Sequence, residues 1–503
     1  MILFVAVILT LQTSCGKDFL KQEPSYATTR ETITSFGAGQ ALLVGVNRDR
    51  FASDGNTHQF AYGEYSAIGI MEYMGEDFIS LPDDANYGSM WAMGRNLHCE
   101  NNNAIMTVQP WNKFYRMIST LNQLLAAIDY EQIDALPQQI DYLRAQALAY
   151  RAHFFHMLVR MYAQAYSQMP DEPGIVLYTE EDLPKVGLPQ PKARATVRAS
   201  YAKIEADLLE AERLMQLPGV AAHATNIKFL RLNTIRGILS RVYLDKHDFA
   251  KAAEYANVAR GTLSLMSRAE FGNGFYTRNA EWMWASFVPS DEANSFATHP
   301  AELTNVSSMY PGAWGFANCI GATLLAHTDP VNDARIAGLV GTTTWWSGRP
   351  SAAATLMYDK FRWTMGTPYD LVYMRAAEML LNEAEALCMP GTQQDFGKAK
   401  TLVKTLIAAR INQETADLVD AMTNDEVLNE IKMQRRLEFW GEGHRFFDLK
   451  RRGEKLDRTG NGTASTFGMT RIVDNPKSKY WVWLIPLREM NNNTQLRQNN
   501  YDY

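Results

Sequence analysis

Cysteine is scarce in this sequence. Among 503 residues there are four cysteines, which lie far apart along the chain: Cys15, Cys99, Cys319 and Cys388. Small disulfide-stapled proteins carry closely spaced, even-numbered sets, and structural zinc sites use cysteines paired a few residues apart. The sequence therefore predicts neither a disulfide framework nor a zinc site.

An excess of positive charge is also missing. The formal net charge is −6 at pH 7, and the isoelectric point is near 5.9. Surfaces that bind nucleic acid need clustered lysine and arginine, so the sequence gives no electrostatic reason to expect such a partner. The hydrophobic share of 46% and the charged share of 21% are typical of a folded globular chain.

Long apolar runs are rare, and the most informative one opens the chain at residues 2–11. It is too short to cross a bilayer as a helix, but it fits the apolar region of a signal peptide, with small residues following. The segment ending at Cys15 resembles a bacterial lipobox, although Gln12 stands where leucine is usual and no basic residue precedes the run. We expect residues 1–14 to be a lipoprotein signal peptide and Cys15 to be lipidated. The alternative is an ordinary cleaved signal with a buried cysteine.

Helical periodicity dominates most of the remaining chain. Apolar residues recur at spacings of three and four, which predicts amphipathic helices that pair through short loops. These helices are expected at residues 111–128, 141–163, 199–215, 228–260 with a break at 246–248, 373–388 and 396–411. The stretch RVYLDKHDFAKAAEYA resembles a tetratricopeptide repeat, in which paired alanines let helices approach closely. The predicted fold class is mainly α, with a solenoid-like helical scaffold.

Two long stretches lose this periodicity, at about residues 51–110 and 263–368. They are rich in glycine, asparagine and aromatic residues, and long insertions of this kind are commonly functional. Within the second, EWMWASF alternates as a strand does, so Trp282 and Trp284 are expected to share one face and pack against helices. We expect the two insertions to form the working surface.

Motifs for catalysis and metal binding are weak. The sequence has no GxSxG, Walker A or GxGxxG context, and nothing in it indicates a carboxylate pair. His153 and His156 are three residues apart on a predicted helix, which could suit a metal, but no carboxylate accompanies them on that face. We expect no cofactor and no enzymatic activity. A structural calcium ion at Glu76-Asp77 and Asp83-Asp84 is the alternative considered.

The stretch EFWGEGHRFFDLKRRG at residues 438–453 concentrates acids, bases and a histidine. A capping box at Thr423 and Glu426 predicts the start of a helix, and the periodicity places His444 on its buried stripe. Charges three residues apart are then expected to pair along the helix surface. The stretch is interpreted as architecture, with a catalytic His444–Asp448 dyad as the alternative.

These residues also carry a family resemblance. QRRLEFWGEGHRFFDLKRRG (434–453) and WVWLIPLREMNNNTQLRQNNYDY (481–503) resemble the C-terminal signatures of the SusD/RagB family. Residues 498–501 depart from it, because the family usually has Gln-Asn-Pro-Gly-Tyr there. The resemblance implies one SusD-like domain over residues 15–503, with its helical scaffold at about 104–262 and 369–453.

The resemblance also implies a function. Such a protein is a lipid-anchored, surface-exposed lipoprotein of the outer membrane, which captures oligosaccharide without catalysis. It delivers the glycan to a SusC-like TonB-dependent transporter, over which it sits as a lid. The alternative is a peptide-capturing lid of a RagB-like importer.

Aromatic side chains of the insertions are the natural ligand contacts, because sugar rings present an apolar face while amides and charged groups bind hydroxyls. The residues expected to bind ligand are Asn86, Tyr87, Trp91, Arg95, Tyr310 and Trp314. The alternative for each aromatic residue is packing in the core or within its loop. Of Trp345 and Trp346, at most one can face a ligand in an extended chain.

Overall fold

The computed structural model describes residues 30–53, 61–80, 97–184, 189–275, 277–292, 318–329, 331–336, 359–361, 367–459 and 472–499. The helices of these ranges are α1 Phe36–Asp49, α2 Gly63–Met74, α3 Leu97–Glu100, α4 Ile105–Asp129, α5 Pro137–Tyr162, α6 Val197–Met215, α7 Leu232–Lys246, α8 Phe249–Arg260, α9 Arg268–Gly272, α10 Ala322–Leu325, α11 Ala376–Cys388, α12 Phe396–Arg410, α13 Gln413–Asp417, α14 Asn424–Glu438, α15 Arg445–Arg452 and α16 Leu487–Asn492. The strands are β1 Phe78–Ser80, β2 Trp282–Val288, β3 Asn318–Ile320, β4 Tyr369–Arg375, β5 Leu456–Asp457 and β6 Ile472–Val473.

The long helices pack in an order that largely follows the chain. Helix α2 contacts α4, α4 contacts α5, α5 contacts α6, α6 contacts α7, and α7 contacts α8. The series continues from α8 to α11, and α11 packs against both α12 and α14. Stacking of successive helix pairs is the arrangement of helical repeat proteins. The predicted mainly α fold, with a helical scaffold that resembles tetratricopeptide repeats, is confirmed.

The junction of α7 and α8 shows how local sequence produces one of these pairs. His247 takes a left-handed conformation with φ of 59°, which ends α7, and the Asp248 side chain accepts a hydrogen bond from Lys251 N at 3.3 Å, which starts α8. Ala252 and Ala256 are fully buried, so α8 can approach its neighbours closely. The predicted break at 246–248 is therefore confirmed.

A strand replaces the start of one predicted helix. The expected helix at 373–388 starts only at Ala376, because residues 369–375 form strand β4. Strand β4 pairs antiparallel with β2, and both strands are almost entirely buried. A buried strand lacks the polar alternation that would have distinguished it from the helix that follows.

The predicted strand around EWMWASF is confirmed as β2. Trp282 and Trp284 are both buried, and the Trp284 ring lies 6.0 Å from that of Tyr150 on α5. The Trp284 indole N–H donates a hydrogen bond to the carbonyl of Lys228 at 3.3 Å. Both tryptophans therefore serve the core.

None of the helices within the described ranges combines the length and the apolar character that crossing a bilayer requires.

Candidate functional site

A short antiparallel ladder connects the two aromatic-rich insertions. Strand β1 of the first insertion pairs with β3 of the second, with Phe78 opposite Ile320 and Ser80 opposite Asn318. The chain continues from Ser80 into residues 81–96 and reaches Asn318 from residues 293–317, so both segments join the ladder at the same end. We call this pair of strands the insertion ladder.

The insertion ladder is fixed to the scaffold by aromatic packing and backbone hydrogen bonds. Phe78 is buried, with its ring 4.8 Å from that of Tyr73 and 5.0 Å from that of Trp440. The carbonyl of Asp77 accepts hydrogen bonds from Trp440 Nε1 at 3.0 Å and from Gly321 N at 2.8 Å. One end of the ladder is thereby held against the turn that precedes α15.

Two carboxylates beside the insertion ladder are neutralised by arginine. Asp77 Oδ1 accepts a hydrogen bond from Arg436 Nη2 at 2.6 Å, and Glu76 forms an ion pair with Arg445. The charge of Asp77, together with that of Glu76, raises the pKa of the Arg436 guanidinium despite burial, which lowers it. A calcium ion was the alternative considered for these acids and for Asp83-Asp84. The carboxylates of Glu76 and Asp77 are already paired with guanidinium groups. Asp83-Asp84 lies outside the described residues.

The second insertion has its own attachment through Lys360. Its ammonium group donates hydrogen bonds to the carbonyls of Glu438 at 2.7 Å and Trp440 at 2.9 Å, and it also contacts the Glu442 carboxylate. Burial lowers the pKa of Lys360 to about 8, although the negative charge of Glu442 opposes this shift. Phe361 packs on Gly441 so closely that a Cβ there would collide with its ring, and Gly441 also has a positive φ of 82°.

Lys360 belongs to a buried network of ionic side chains that joins the second insertion to the scaffold. We call it the arginine cluster, and it balances four acidic side chains against four basic ones: Glu281, Asp333, Glu438, Glu442, Arg335, Lys360, Arg375 and Arg410. Arg375 lies at its centre, 2.6 Å from Glu281, 2.8 Å from Glu438 and 2.7 Å from Glu442. Buried charges persist only when they are paired in this way.

These contacts correct the interpretation of residues 438–453. The single helix expected from Thr423 onward is two helices, because α14 ends at Glu438 and α15 begins at Arg445. The turn between them contains Gly441 and Gly443, both with positive φ, which favours glycine. The predicted capping box of Thr423 and Glu426 is confirmed.

The charged residues of this stretch also pair differently from the prediction. Surface pairs along one helix were expected, but Glu438 is fully buried and binds Arg375 and Arg410 from other elements. Asp448 accepts hydrogen bonds from Arg435 at 2.8 Å and from Arg451 at 3.0 Å. The stretch is architectural, as inferred, but through buried links between elements.

His444 contributes to this architecture through its ring. It is half-buried and lies 4.6 Å from the Phe439 ring, and burial lowers its pKa well below the usual range. We expect His444→Gln to lower the free energy of unfolding by about 1 kcal/mol through loss of this contact. Urea unfolding measures that change, and glycan affinity should stay the same. Selective loss of affinity at unchanged stability would contradict the architectural role.

His153 and His156 have separate carboxylate partners. His153 Nε2 lies 2.6 Å from Glu64 Oε1, and His156 Nε2 lies 2.8 Å from Asp245 Oδ2. Burial alone would raise the pKa of Glu64, but Arg50 and His153 lower it to about 2. Burial lowers the pKa of His156 to about 4, against the effect of Asp245. In the part of the chain that the structure describes, no group of three or more metal-ligating side chains occurs.

The residues predicted to bind ligand lie outside the described ranges. This applies to Asn86, Tyr87, Trp91, Arg95, Tyr310 and Trp314, and also to the lipidation residue Cys15. The insertion ladder and the Lys360 attachment were not anticipated from the sequence. The only sequence signal for them was the pair of glycines in FWGEGH, which indicates a turn and could have placed the end of α14.

Comparison with known proteins identifies two matching family models. One, described as the SusD family, matches residues 343–503, and the other, described as starch-binding associating with outer membrane, matches residues 67–244. Together they cover well over half of the chain. No curated protein sequence is significantly similar to it.

Solved structures agree with this fold along nearly the whole chain. A SusD superfamily protein from Bacteroides thetaiotaomicron VPI-5482 superposes with a TM-score of 0.76 at 20% identity, covering 93% of this chain and 100% of that one. A SusD-like carbohydrate-binding protein from Bacteroides vulgatus ATCC 8482 gives 0.74 at 21%, covering 92% and 97%. Surface glycan-binding protein A from Bacteroides thetaiotaomicron, in complex with laminarihexaose, gives 0.68 at 16%, covering 93% and 100%.

The family models match the scaffold from α2 to α7 and the C-terminal third, including the turn that holds the insertion ladder and Lys360. The solved SusD-like structures share the fold in which these parts are assembled. The chain therefore belongs to the SusD family.

Proposed function

We propose that this protein is a surface-exposed, lipid-anchored glycan-binding protein that captures oligosaccharide without catalysis. It delivers the glycan to a SusC-like TonB-dependent transporter of the outer membrane. The observation that supports this most directly is the insertion ladder, which gives both aromatic-rich segments a common origin on the scaffold. The laminarihexaose complex of surface glycan-binding protein A, which has the same fold, supports a glycan as the ligand.

In this proposal the scaffold keeps the ligand face rigid. Asp77 and Phe78 attach the first insertion to the turn before α15, and Lys360 attaches the second insertion to the same turn. A binding site built from two distant segments loses affinity when the segments must be ordered on binding. Both attachments lower that cost, because the ends of the segments are already held in place.

The ligand class is tested by calorimetric titration of the full chain with laminarihexaose, other oligosaccharides and peptides, followed by analysis for products. Heat of binding with an oligosaccharide and no products supports the proposal. Binding of peptides alone would favour a peptide-capturing lid, and formation of products would contradict non-catalytic capture. A TonB-dependent barrel encoded beside this gene would support the proposed partner.

Trp91→Ala and Trp314→Ala test the predicted ligand face. Removing a stacked tryptophan costs about 1.5 to 3 kcal/mol of buried apolar contact, so each variant should bind the glycan about tenfold to a hundredfold more weakly. Tyr130→Ala is a matched control, because Tyr130 is an exposed aromatic residue at the end of α4, outside both insertions. Unchanged affinity in both tryptophan variants would show that the ligand binds elsewhere.

A further inference from the structure

A cavity lies on the scaffold, lined by residues outside the insertion ladder. It has a volume of about 170 Å³ and is lined mainly by Tyr115 and Ile118 of α4, by Tyr178, Asp182 and Leu183, and by Glu489 of α16. An engineered cavity of about 150 Å³ accommodates benzene, so this one suits a small organic molecule. We call it the tyrosine pocket.

Most of the polar groups in the walls of the tyrosine pocket already have partners. Tyr115 Oη donates a hydrogen bond to the carbonyl of Val176 at 2.9 Å and accepts one from the amide of the same residue at 3.1 Å. Asn122 Nδ2 donates to the carbonyl of Tyr178 at 2.9 Å, and the Asp182 carboxylate binds Lys192 Nζ at 2.8 Å. These bonds hold the walls in shape, so few hydroxyl-binding groups remain for a sugar.

Glu489 differs from the other polar groups of the pocket. Its carboxylate accepts a hydrogen bond from the side chain of Trp111, and no lysine or arginine of the described ranges forms an ion pair with it. Burial raises the pKa of Glu489, as expected for an acid that has no cationic partner among the described residues. A partly buried carboxylate without a counter-charge is costly, and a bound cation would relieve that cost.

The rings around Glu489 suit the same ligand. Tyr115 and Tyr178 stand nearly perpendicular, with centroids 6.4 Å apart and an interplanar angle of 78°. Aromatic faces attract cations, and Ile118 and Leu183 add apolar walls. Calcium and magnesium take about six oxygen ligands and prefer several carboxylates, whereas the other carboxylate of this pocket, that of Asp182, is already paired with Lys192.

We propose that the tyrosine pocket binds a small organic cation, in which a primary ammonium group pairs with Glu489 and an apolar body contacts Tyr115 and Tyr178. The ammonium group could belong to a free amine or to a lysine side chain, since both present the same chemistry. The pocket is separate from the insertion ladder, because none of the residues that line it belongs to either strand.

The test is calorimetric titration of the full chain at pH 8 with benzylamine, with Nα-acetyl-lysine methylamide and with uncharged benzyl alcohol. Saturable binding of either amine, with at least tenfold weaker binding of benzyl alcohol, is expected. Binding of the lysine derivative alone would assign the pocket to a peptide side chain, and binding of benzylamine alone to a free amine. If neither amine saturates, or if benzyl alcohol binds equally well, the proposal is wrong.

Glu489→Gln should weaken amine binding at least tenfold, because it removes the charge while its amide oxygen can still accept the Trp111 hydrogen bond. Glu181→Gln is the matched control, since Glu181 is an exposed acid in the neighbouring turn. Thermal unfolding of both variants shows whether the fold is intact. Equal amine affinity in folded Glu489→Gln and in the unaltered protein would overturn the proposal. Laminarihexaose titration of the same variant tests glycan capture separately.

Discussion

Replacing Arg375 by glutamine is expected to lower the free energy of unfolding by about 3 to 5 kcal/mol, the range for removing one partner of a buried ion pair. Arg375 is fully buried and contacts the carboxylates of Glu281, Glu438 and Glu442. Without it, the arginine cluster retains four acidic side chains but only three basic ones. Urea unfolding followed by circular dichroism measures the change.

The large effect comes from what remains after the substitution. Glu442 keeps Lys360 as a partner, and Glu281 then depends on Arg410. Glu438 keeps Arg410 at 2.8 Å and the more distant Arg335 at 3.6 Å. A buried carboxylate that loses its cation must be protonated or hydrated. Protonation requires its pKa to rise, and hydration requires the core to open to water. The expected loss of stability therefore comes mainly from the carboxylates left without a cation, and less from any single hydrogen bond that is removed.

Arg198→Gln is a matched control, because Arg198 pairs with Asp171 on the exposed surface. Exposed ion pairs contribute about 0 to 1 kcal/mol, so this variant should unfold almost as the unaltered protein does. If Arg375→Gln does not accumulate as folded protein, Arg375→Lys should fold with intermediate stability, since lysine keeps the charge but loses the forked geometry. A loss below 1 kcal/mol in Arg375→Gln would show that the cluster is not essential to the fold.

The arginine cluster also explains what the sequence could and could not predict. Glu281, Arg375, Arg410 and Glu438 meet in the core although they are far apart in the chain. Periodicity relates only residues within a few positions of each other, so the charges near Glu438 were interpreted as neighbours along one helix. The helices themselves depend on local spacing, so most of their predicted ends lie within a few residues of the observed ones. The exceptions are α4, which begins at Ile105 rather than at 111, and α2, which lies inside the stretch at 51–110 where no helix was expected.

The segments proposed to form the ligand face were predictable from their composition, but their structure was not. The aromatic-rich insertions were recognised from their composition, but β1 and β3 have three residues each and carry no detectable alternation. Their pairing depends on contacts of Phe78 and Asp77 with residues more than 200 positions away. Which aromatic side chains bind ligand depends on such long-range packing, so Trp91 and Trp314 stay predictions for binding experiments.

The second large effect concerns pH and the buried acid Glu72. Its carboxyl group is buried on α2, where burial raises the pKa to about 8, although the backbone N–H groups of Gly443 and Gly441 oppose this shift. In the unfolded chain its pKa is near 4.5. Between these values the folded protein holds a proton that the unfolded chain has released. The stability that Glu72 contributes is therefore present below about pH 4.5 and is lost as the pH rises to about 8.

Glu72→Gln should remove this pH dependence, because glutamine stays neutral and its amide oxygen can still accept the hydrogen bond from Gly443 N. A shift from 4.5 to about 8 corresponds to at most about 5 kcal/mol, at about 1.4 kcal/mol per pKa unit. We expect the variant to gain stability relative to the unaltered protein as the pH is raised from 5 to 8.5. Urea unfolding at several pH values measures this difference.

Comparing Glu72→Gln with the unaltered protein at each pH isolates the contribution of Glu72 to stability, because the two proteins share all their other buried titratable groups. His156, with its pKa near 4, loses its contribution as the pH falls through that value, and Lys360 titrates only near pH 8 and above. Glu414→Gln is the control, because Glu414 is exposed and its loss should leave the pH profile unchanged. If Glu72→Gln shows the same pH profile as the unaltered protein, Glu72 is ionised in the fold. In that case the Glu72 carboxylate is charged and accepts its hydrogen bond from Gly443 N, within the same glycine turn that holds the insertion ladder.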